Sequence, residues 1–569
     1  MKNSEINISV FKDFMRLAST SALIGLSVGL AFVALITFYN YTLALSIKIS
    51  QINWVAIILV PILGLLVAYL LVKFLGTSKE TGAGSHKLLE AYHYHGGNIS
   101  LTDTIIDPIA SAITIGTGGS AGFEGPSLLL GGGIGSLIAK RFKPTPQELK
   151  IFLLSGAAAG ISAVFKAPLT GILFALELPY KRDITRIALI PAAIASIISY
   201  AISITFFGSE LLFPQTQGEG VTLLLVGHSF IVGLITAIAG VAFVETLKLM
   251  KRGANRIKNK YLVPLLGGFI IGVAGLLLPQ IQGLGYSTIS NLAKSPTSVP
   301  LTLLLSLAVF KILLTSVTLR MGGSGGLFTP TIFIGAAIGA IYCSIFPSLN
   351  SVTIVMAAIA ALMAATNKTL LTSVAFVAET SGPATIITAL VAAATSYFFS
   401  QGSSFYEDIQ PLDEFVEEEE MIGILYHQIE GGVNAKKLEA ITVGDLRGDV
   451  LSIDEGSTIG EVMEFVRDKS HREYPVVDKE RRLHGTITLE DILIGAEKNS
   501  NLTVGSLTLR RSVVATLDTR LDKLVPELME SDLDNAWIVE NYDDMRLLGV
   551  VNETDVLKCL LGLTGNSAK

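Results

Sequence analysis

Half of the 569 residues are hydrophobic, 16% are charged, and the mean hydropathy is +0.58. That balance excludes an ordinary soluble globular protein and defines a polytopic membrane protein. The formal charge of −6, with its acidity gathered in the C-terminal part, for example at 417–420, argues against a nucleic-acid partner.

In chain order, residues 1–16 carry both charge signs before an apolar run that lacks a small-residue cleavage site, so no removable signal peptide is expected. Segments 17–39, 54–75, 187–207, 221–244 and 262–278 are each sufficient to cross a bilayer. Other apolar segments are shorter or broken. The basic clusters Lys181-Arg182-Arg186 and Lys248-Lys251-Arg252-Arg256-Lys258-Lys260 place their loops on the cytoplasmic side by the positive-inside rule. Both termini are expected there too, with the protein in the cell membrane. Cys343 and Cys559 lie far apart and imply neither a disulfide framework nor a metal site.

Within the apolar part, Gly118-Gly119-Ser120-Ala121-Gly122-Phe123-Glu124-Gly125-Pro126 recurs 204 residues later as Gly322-Gly323-Ser324-Gly325-Gly326-Leu327-Phe328-Thr329-Pro330. The register continues, since Gly131 matches Gly335 and Ile134-Gly135 matches Ile338-Gly339. In each copy a glycine-rich, non-helical stretch runs through a proline into an apolar helix. Irregular backbone at membrane depth persists only when buried or lining a cavity, and paired interruptions in two halves point to a transport site.

A helix start exposes amides without partners and partial positive charge, so two such ends facing each other would hold an anion without lysine or arginine. Glu124 would compete with that anion for the same amides and leave by swinging out or by taking a proton, which is the behaviour of a gate. The alternative is that the glycines pack helices and Glu124 is a solvated loop acid.

Near residue 400 the chain turns to charged, amphipathic helices and short β-branched strands. Tyr474-Pro475-Val476-Val477-Asp478 with 483–493 is echoed by Ala536-Trp537-Ile538-Val539-Glu540 with 547–557, each reading strand, turn, strand, helix, and preceded by helices expected at 459–469 and 521–530. Two such βαββα units should pack on each other.

These residues carry a resemblance. Gly122-Phe123-Glu124-Gly125-Pro126, Gly326-Leu327-Phe328-Thr329-Pro330, the segment Phe165-Lys166-Ala167-Pro168-Leu169-Thr170-Gly171-Ile172-Leu173-Phe174 and Phe405-Tyr406 resemble the CLC family of chloride channels and proton-coupled chloride transporters. The tail resembles a tandem pair of CBS domains. The resemblance implies a polytopic α-helical membrane domain of two inverted repeats at 1–410, a linker at 411–440, and a cytosolic α/β CBS pair at 441–500 and 501–569. It implies a homodimer with a pathway in each subunit, chloride and protons as partners, a central anion held by the Tyr406 hydroxyl and the amides of Leu327 and Phe328, and Glu124 at an outer site. Phe123, Gly125, Gly326 and Ala83 would complete the anion-binding set. Tyr406 could instead be an interfacial anchor. In the tail, Thr488 and Asp491, with Asp555 in the second unit, would meet an adenine nucleotide (ATP, ADP or AMP); the alternative is a dimerisation module in which Thr488 and Asp491 cap a helix.

Three departures qualify this. Gly82-Ala83-Gly84-Ser85-His86 stands where the family often has Gly-Ser-Gly-Ile-Pro, so Ala83 supplies no hydroxyl; the neighbouring Ser85 could substitute, but its place in the motif is wrong, and it reads as a solvated loop serine. Phe123 replaces a usual basic residue at the outer mouth. Leu178 stands where transporters often carry an inner proton acid; Glu177, one residue earlier and turned by about 100° on a helix, reads as structural, like its counterpart Glu379. The reading is therefore chloride–proton exchange gated by Glu124, with a passive channel as the alternative and a fluoride exporter behind both. No GxxxxGK[ST], no HExxH and no cysteine-nucleophile context supports an enzyme.

Overall fold

The computed structural model has two compact units, 1–414 and 415–569. It describes residues 2–564 apart from 217–219, most of 412–439, and 468, 470, 472, 499–501, 530 and 532. The expected linker at 411–440 and the acidic run at 417–420 therefore lie largely outside the described residues.

Among the described residues the first unit is built of helices joined by loops. Its first half runs Lys2–Ser50, Trp54–Leu75, Gly84–His93, Leu101–Gly116, Glu124–Lys140, Pro146–Phe165, Pro168–Glu177 and Leu189–Phe207. Its second half runs Leu223–Arg256, Leu262–Leu277, Tyr286–Lys294, Leu301–Arg320, Phe328–Ile345, Ser351–Asn367, Leu370–Ser381 and Ile386–Phe399. Seven helices among the described residues are long and apolar enough to cross a membrane. The Trp54–Leu75 helix keeps Leu59, Leu63, Val67 and Phe74 exposed, as a lipid-facing helix does. Phe328–Ile345, by contrast, is buried along most of its length.

The two halves repeat each other in backbone conformation. Gly118 and Gly322 turn the chain at φ +105° and +104°, and Lys166 and Lys368 end corresponding helices in the left-handed region at φ +52° and +59°. Neither short helix that follows has a side-chain cap of its own. Each is capped by the other half instead. Glu177 accepts from Leu371 N (2.9 Å), Thr372 N (2.8 Å) and Thr372 Oγ1 (2.6 Å). Glu379 accepts from Leu169 N (2.9 Å), Thr170 N (2.7 Å) and Thr170 Oγ1 (2.7 Å). Carboxylates at helix starts satisfy orphan amides and suit the local dipole, so the structural role read for Glu177 and Glu379 has a definite form.

The second unit contains two three-stranded sheets of identical plan. In one, Ile453–Asp454 pairs parallel with Glu473–Val477, which pairs antiparallel with Leu483–Thr488; in the other, Val513–Thr516, Asn535–Val539 and Leu547–Asn552 do the same. Among the described residues the second unit's helices include Ile459–Val466, Leu489–Lys498, Leu521–Met529 and Glu553–Thr564, the first shorter than the 459–469 expected. The sheets meet as anticipated: Leu483 N donates to Met545 O and Leu547 N to Arg481 O, each at 2.9 Å. Val477, Leu483, Trp537, Val539 and Leu547 bury one another in a shared core, and Trp537 Nε1 donates to Thr486 Oγ1 at 2.7 Å.

Candidate functional site: a carboxylate among paired helix starts

The duplicated loops are hydrogen-bonded to each other, so the two helix starts are fixed together rather than merely near. Gly122 N donates to Gly326 O (2.9 Å), Gly325 N to Gly82 O (3.1 Å), and Gly84 N to Gly325 O (3.3 Å). Ser120 N donates to Thr318 Oγ1 (3.0 Å), and in the exchanged sense Ser324 N donates to Thr114 Oγ1 (3.2 Å). Three helices start here, at Gly84, Glu124 and Phe328, with Ala83, Phe123 and Leu327 as their N-cap residues. The approach is so close that a Cβ on Gly125 would sit 2.8 Å from the Gly325 carbonyl, and one on Gly326 would overlap the Glu124 carboxylate.

Glu124 is 2% exposed. Its Oε1 accepts from the Phe328 amide, and its Oε2 from Thr329 Oγ1 at 3.1 Å. It is thus no solvated loop acid. The Phe328 amide, read as belonging to a central anion, is taken by this carboxylate instead. The reason is geometric: bridging Gly122 to Gly326 lays the first turn of one helix against the first turn of the other. Behind Phe328 stand Phe165 (5.1 Å between ring centroids), Phe174 (5.1 Å) and Phe376 (5.3 Å), a low-polarity wall that strengthens any charge–dipole interaction at the helix start.

Tyr406 is 2% exposed. Its hydroxyl lies 3.1 Å from Ser85 Oγ and 3.3 Å from Asn367 Oδ1, and its one proton serves one of them at a time. Two readings are corrected here. Tyr406 is no interfacial anchor, and Ser85, also 2% exposed, is no solvated serine but sits in the first turn of the Gly84–His93 helix. Phe123 does not line an open mouth. It is buried, edge-on to Tyr39 at 4.8 Å. Leu178 is fully buried, and its carbonyl accepts from Gln410 Nε2.

Sequence reasoning missed Thr329, Asn367 and His86. Thr329 lay in plain view inside the duplicated motif. Asn367 precedes Lys368, the counterpart of Lys166, but has no matching residue type at Phe165 and so left no repeat signal. Ala83, Gly82, Gly322, His86, Phe405 and Arg320 all line a cavity of about 690 Å³ that also carries Lys248, Lys251 and Lys260.

In the tail, Thr488 caps the helix that follows, with Asp491 N donating to Thr488 Oγ1 (3.2 Å) and Thr488 Oγ1 to Asp491 Oδ2 (2.6 Å). Arg510 Nε reaches the same Oδ2 at 3.0 Å. Burial alone pushes the Asp491 carboxyl up, but Arg510 and Thr488 outweigh it and hold it below the usual carboxylate range. In the second unit Asn552 Oδ1 accepts the Asp555 amide at 2.8 Å, an equivalent cap. A cleft beside Arg510 is lined by His484, Arg511, Ser512 and Tyr542.

A family model described as voltage gated chloride channel matches residues 63–401, and one described as CBS domain matches 443–496 and again 504–562. The chain belongs to the voltage-gated chloride channel family and carries a C-terminal CBS pair. The voltage-gated ClC-type chloride channel ClcB of Shigella flexneri is 30% identical over 352 residues, spanning 59% of this chain and 81% of that protein. The ClcB of Escherichia coli strain SMS-3-5 / SECEC gives the same figures. Among solved structures, a slow cyanobacterial Cl−/H+ antiporter superposes with a TM-score of 0.62 at 22% identity, covering 68% of this chain and 94% of its own. A eukaryotic CLC transporter superposes at 0.59 and 16% identity and covers 95% of this chain and 98% of its own. At these identities the two structures show a shared fold.

Proposed function

We propose that this protein exchanges chloride for protons across the membrane, with Glu124 as the gate common to both ions. The observation that carries the reading is the Glu124 carboxylate bonded to the Phe328 amide and the Thr329 hydroxyl: an anionic side chain occupies the donors a permeating anion would use. Protonation removes its claim on those donors, so proton uptake and anion entry become one event. The similarity to the ClcB chloride channels favours chloride. A similar fold at 22% identity is a CLC-type fluoride/proton antiporter, covering 70% of this chain and 99% of its own at a TM-score of 0.62; here the buried Tyr406 and Ser85 give an anion hydroxyl partners. The lysines lining the 690 Å³ cavity favour a cytoplasmic face for it; the proposal puts both termini on that side and the protein in the cell membrane as a homodimer.

The deciding experiment is chloride efflux from liposomes with simultaneous pH recording. Glu124→Gln is expected to let chloride move while abolishing pH dependence and linked proton movement; a steep pH response in that variant overturns the gate assignment. The channel reading draws support from Leu178, which cannot titrate, and wild-type protein that never moves protons uphill under a chloride gradient would establish it. The CBS pair is proposed to bind an adenine nucleotide through Thr488, Asp491 and Asp555 and thereby bias exchange.

A further inference from the structure

With Leu178 buried and unable to titrate, an exchanger needs another group to carry protons from the cytoplasmic cavity inward. We infer that His86 is that group. The inference rests on the exchange reading and deepens it.

His86 lines the cavity and its ring stands 5.1 Å from that of Tyr406, so it lies between the aqueous side and the polar group that Tyr406 forms with Ser85 and Asn367. Its Nε2 is 3.0 Å from the Phe405 carbonyl. A carbonyl only accepts, so this nitrogen carries the hydrogen, and Nδ1 is left as a bare acceptor. That Nδ1 is buried without a hydrogen-bond partner, an unusual condition for a polar atom inside a protein. The titratable groups around it on the cavity wall are Lys87 and Glu90 on its own helix, Lys79 and Glu80 just before that helix, Tyr69 on the Trp54–Leu75 helix, Lys248 and Lys251 on the Leu223–Arg256 helix, Lys260 beyond it, Arg320 at the end of Leu301–Arg320, and Glu407 and Asp408 beyond Tyr406. The lysines and Arg320 on that wall outnumber its carboxylates, so a proton on the ring is passed on rather than stored. Nδ1 has no solvent contact as the ring stands, so the ring first opens toward the cavity; one proton from its water then adds to Nδ1, giving the imidazolium, the same charge leaves through water and the Tyr406 and Ser85 hydroxyls to the Glu124 carboxylate, and the ring returns to neutral.

The test uses the full-length protein in liposomes with both ions recorded, comparing wild type, His86→Gln, which keeps an N–H for the Phe405 carbonyl, His86→Ala, Leu178→Glu alone, and His86→Gln combined with Leu178→Glu. The expected result is a chloride-to-proton ratio raised roughly a hundredfold in both His86 single variants, the low end of what a positioned proton-transfer group supplies, and lowered again when Leu178→Glu adds a carboxylate. Wild-type coupling retained in His86→Gln overturns the relay while leaving exchange intact. A ratio that rises in both His86 single variants but stays high with Leu178→Glu, although Leu178→Glu alone couples normally, assigns His86 to packing and overturns it too. Wild type that moves no protons overturns exchange and relay together.

Discussion

Tyr406, Ser85 and Asn367 share too few protons for the acceptors they present, and an anion arriving beside them would settle the competition by taking the hydroxyl hydrogens. Tyr406→Phe removes a donor to a charged partner, worth about 1.5–3 kcal/mol, and so is expected to weaken chloride binding by about tenfold or more in calorimetry. Because the group acts as a unit, Ser85→Ala added to Tyr406→Phe should weaken binding by less than the sum of the single effects. Strict additivity would show that Ser85 and Tyr406 act separately. At this scale the sequence was half legible. Glu124 announced itself as an acid inside a duplicated glycine loop, whereas Ser85 was misread because its helix start is short and its partner Tyr406 lies 321 positions away.

The elements were legible where periodicity and length spoke for themselves, as in 54–75, and illegible where a helix depends on another half for its cap. Pro168–Glu177 and Leu370–Ser381 are 10 and 12 residues long, below the length at which isolated helices hold together in water. Glu177→Gln and Glu379→Gln each replace an acceptor pair by a group with one acceptor and an N–H facing donors. Each is expected to lower stability by about 2 kcal/mol, seen as a reduced midpoint in thermal unfolding of the purified protein. The two effects should be equal within error; a large inequality would break the equivalence of the halves. In the tail, Asp491 is held below the usual carboxylate range in the folded state by Arg510 and Thr488, against the opposing effect of burial. Such a group contributes stability above its unfolded value of about 4, lost as pH falls through the lower folded value. Trp537, buried against Thr486, reports on that unit. Acid unfolding followed by its fluorescence should be shallower for Asp491→Asn between neutral pH and pH values of about 3, and an unchanged profile would remove the ion pair from the account.

At the scale of the whole molecule, the change of composition near residue 400 was visible in the sequence, as was the pairing of two βαββα units. A nucleotide bound between those units alters transport only if it prefers one conformational state. Titration of ATP, ADP and AMP onto the full-length protein is expected to give binding that Asp491→Ala abolishes, with a matching change in chloride flux. No binding at millimolar nucleotide would leave the tail as a dimerisation module.

The exchange of Glu177 and Glu379 across the two halves also says something about assembly. Residue i of one half serves residue j of the other, and j serves i, which is the contact pattern of a self-complementary interface between two identical chains. During synthesis the first half enters the bilayer with its capping acid unpaired and its own short helix uncapped until the second half arrives, so an early intermediate has a reason to wait for its sibling. Two separately translated halves, divided in the loop after Phe207, should accumulate in membranes when expressed together and be degraded when expressed alone.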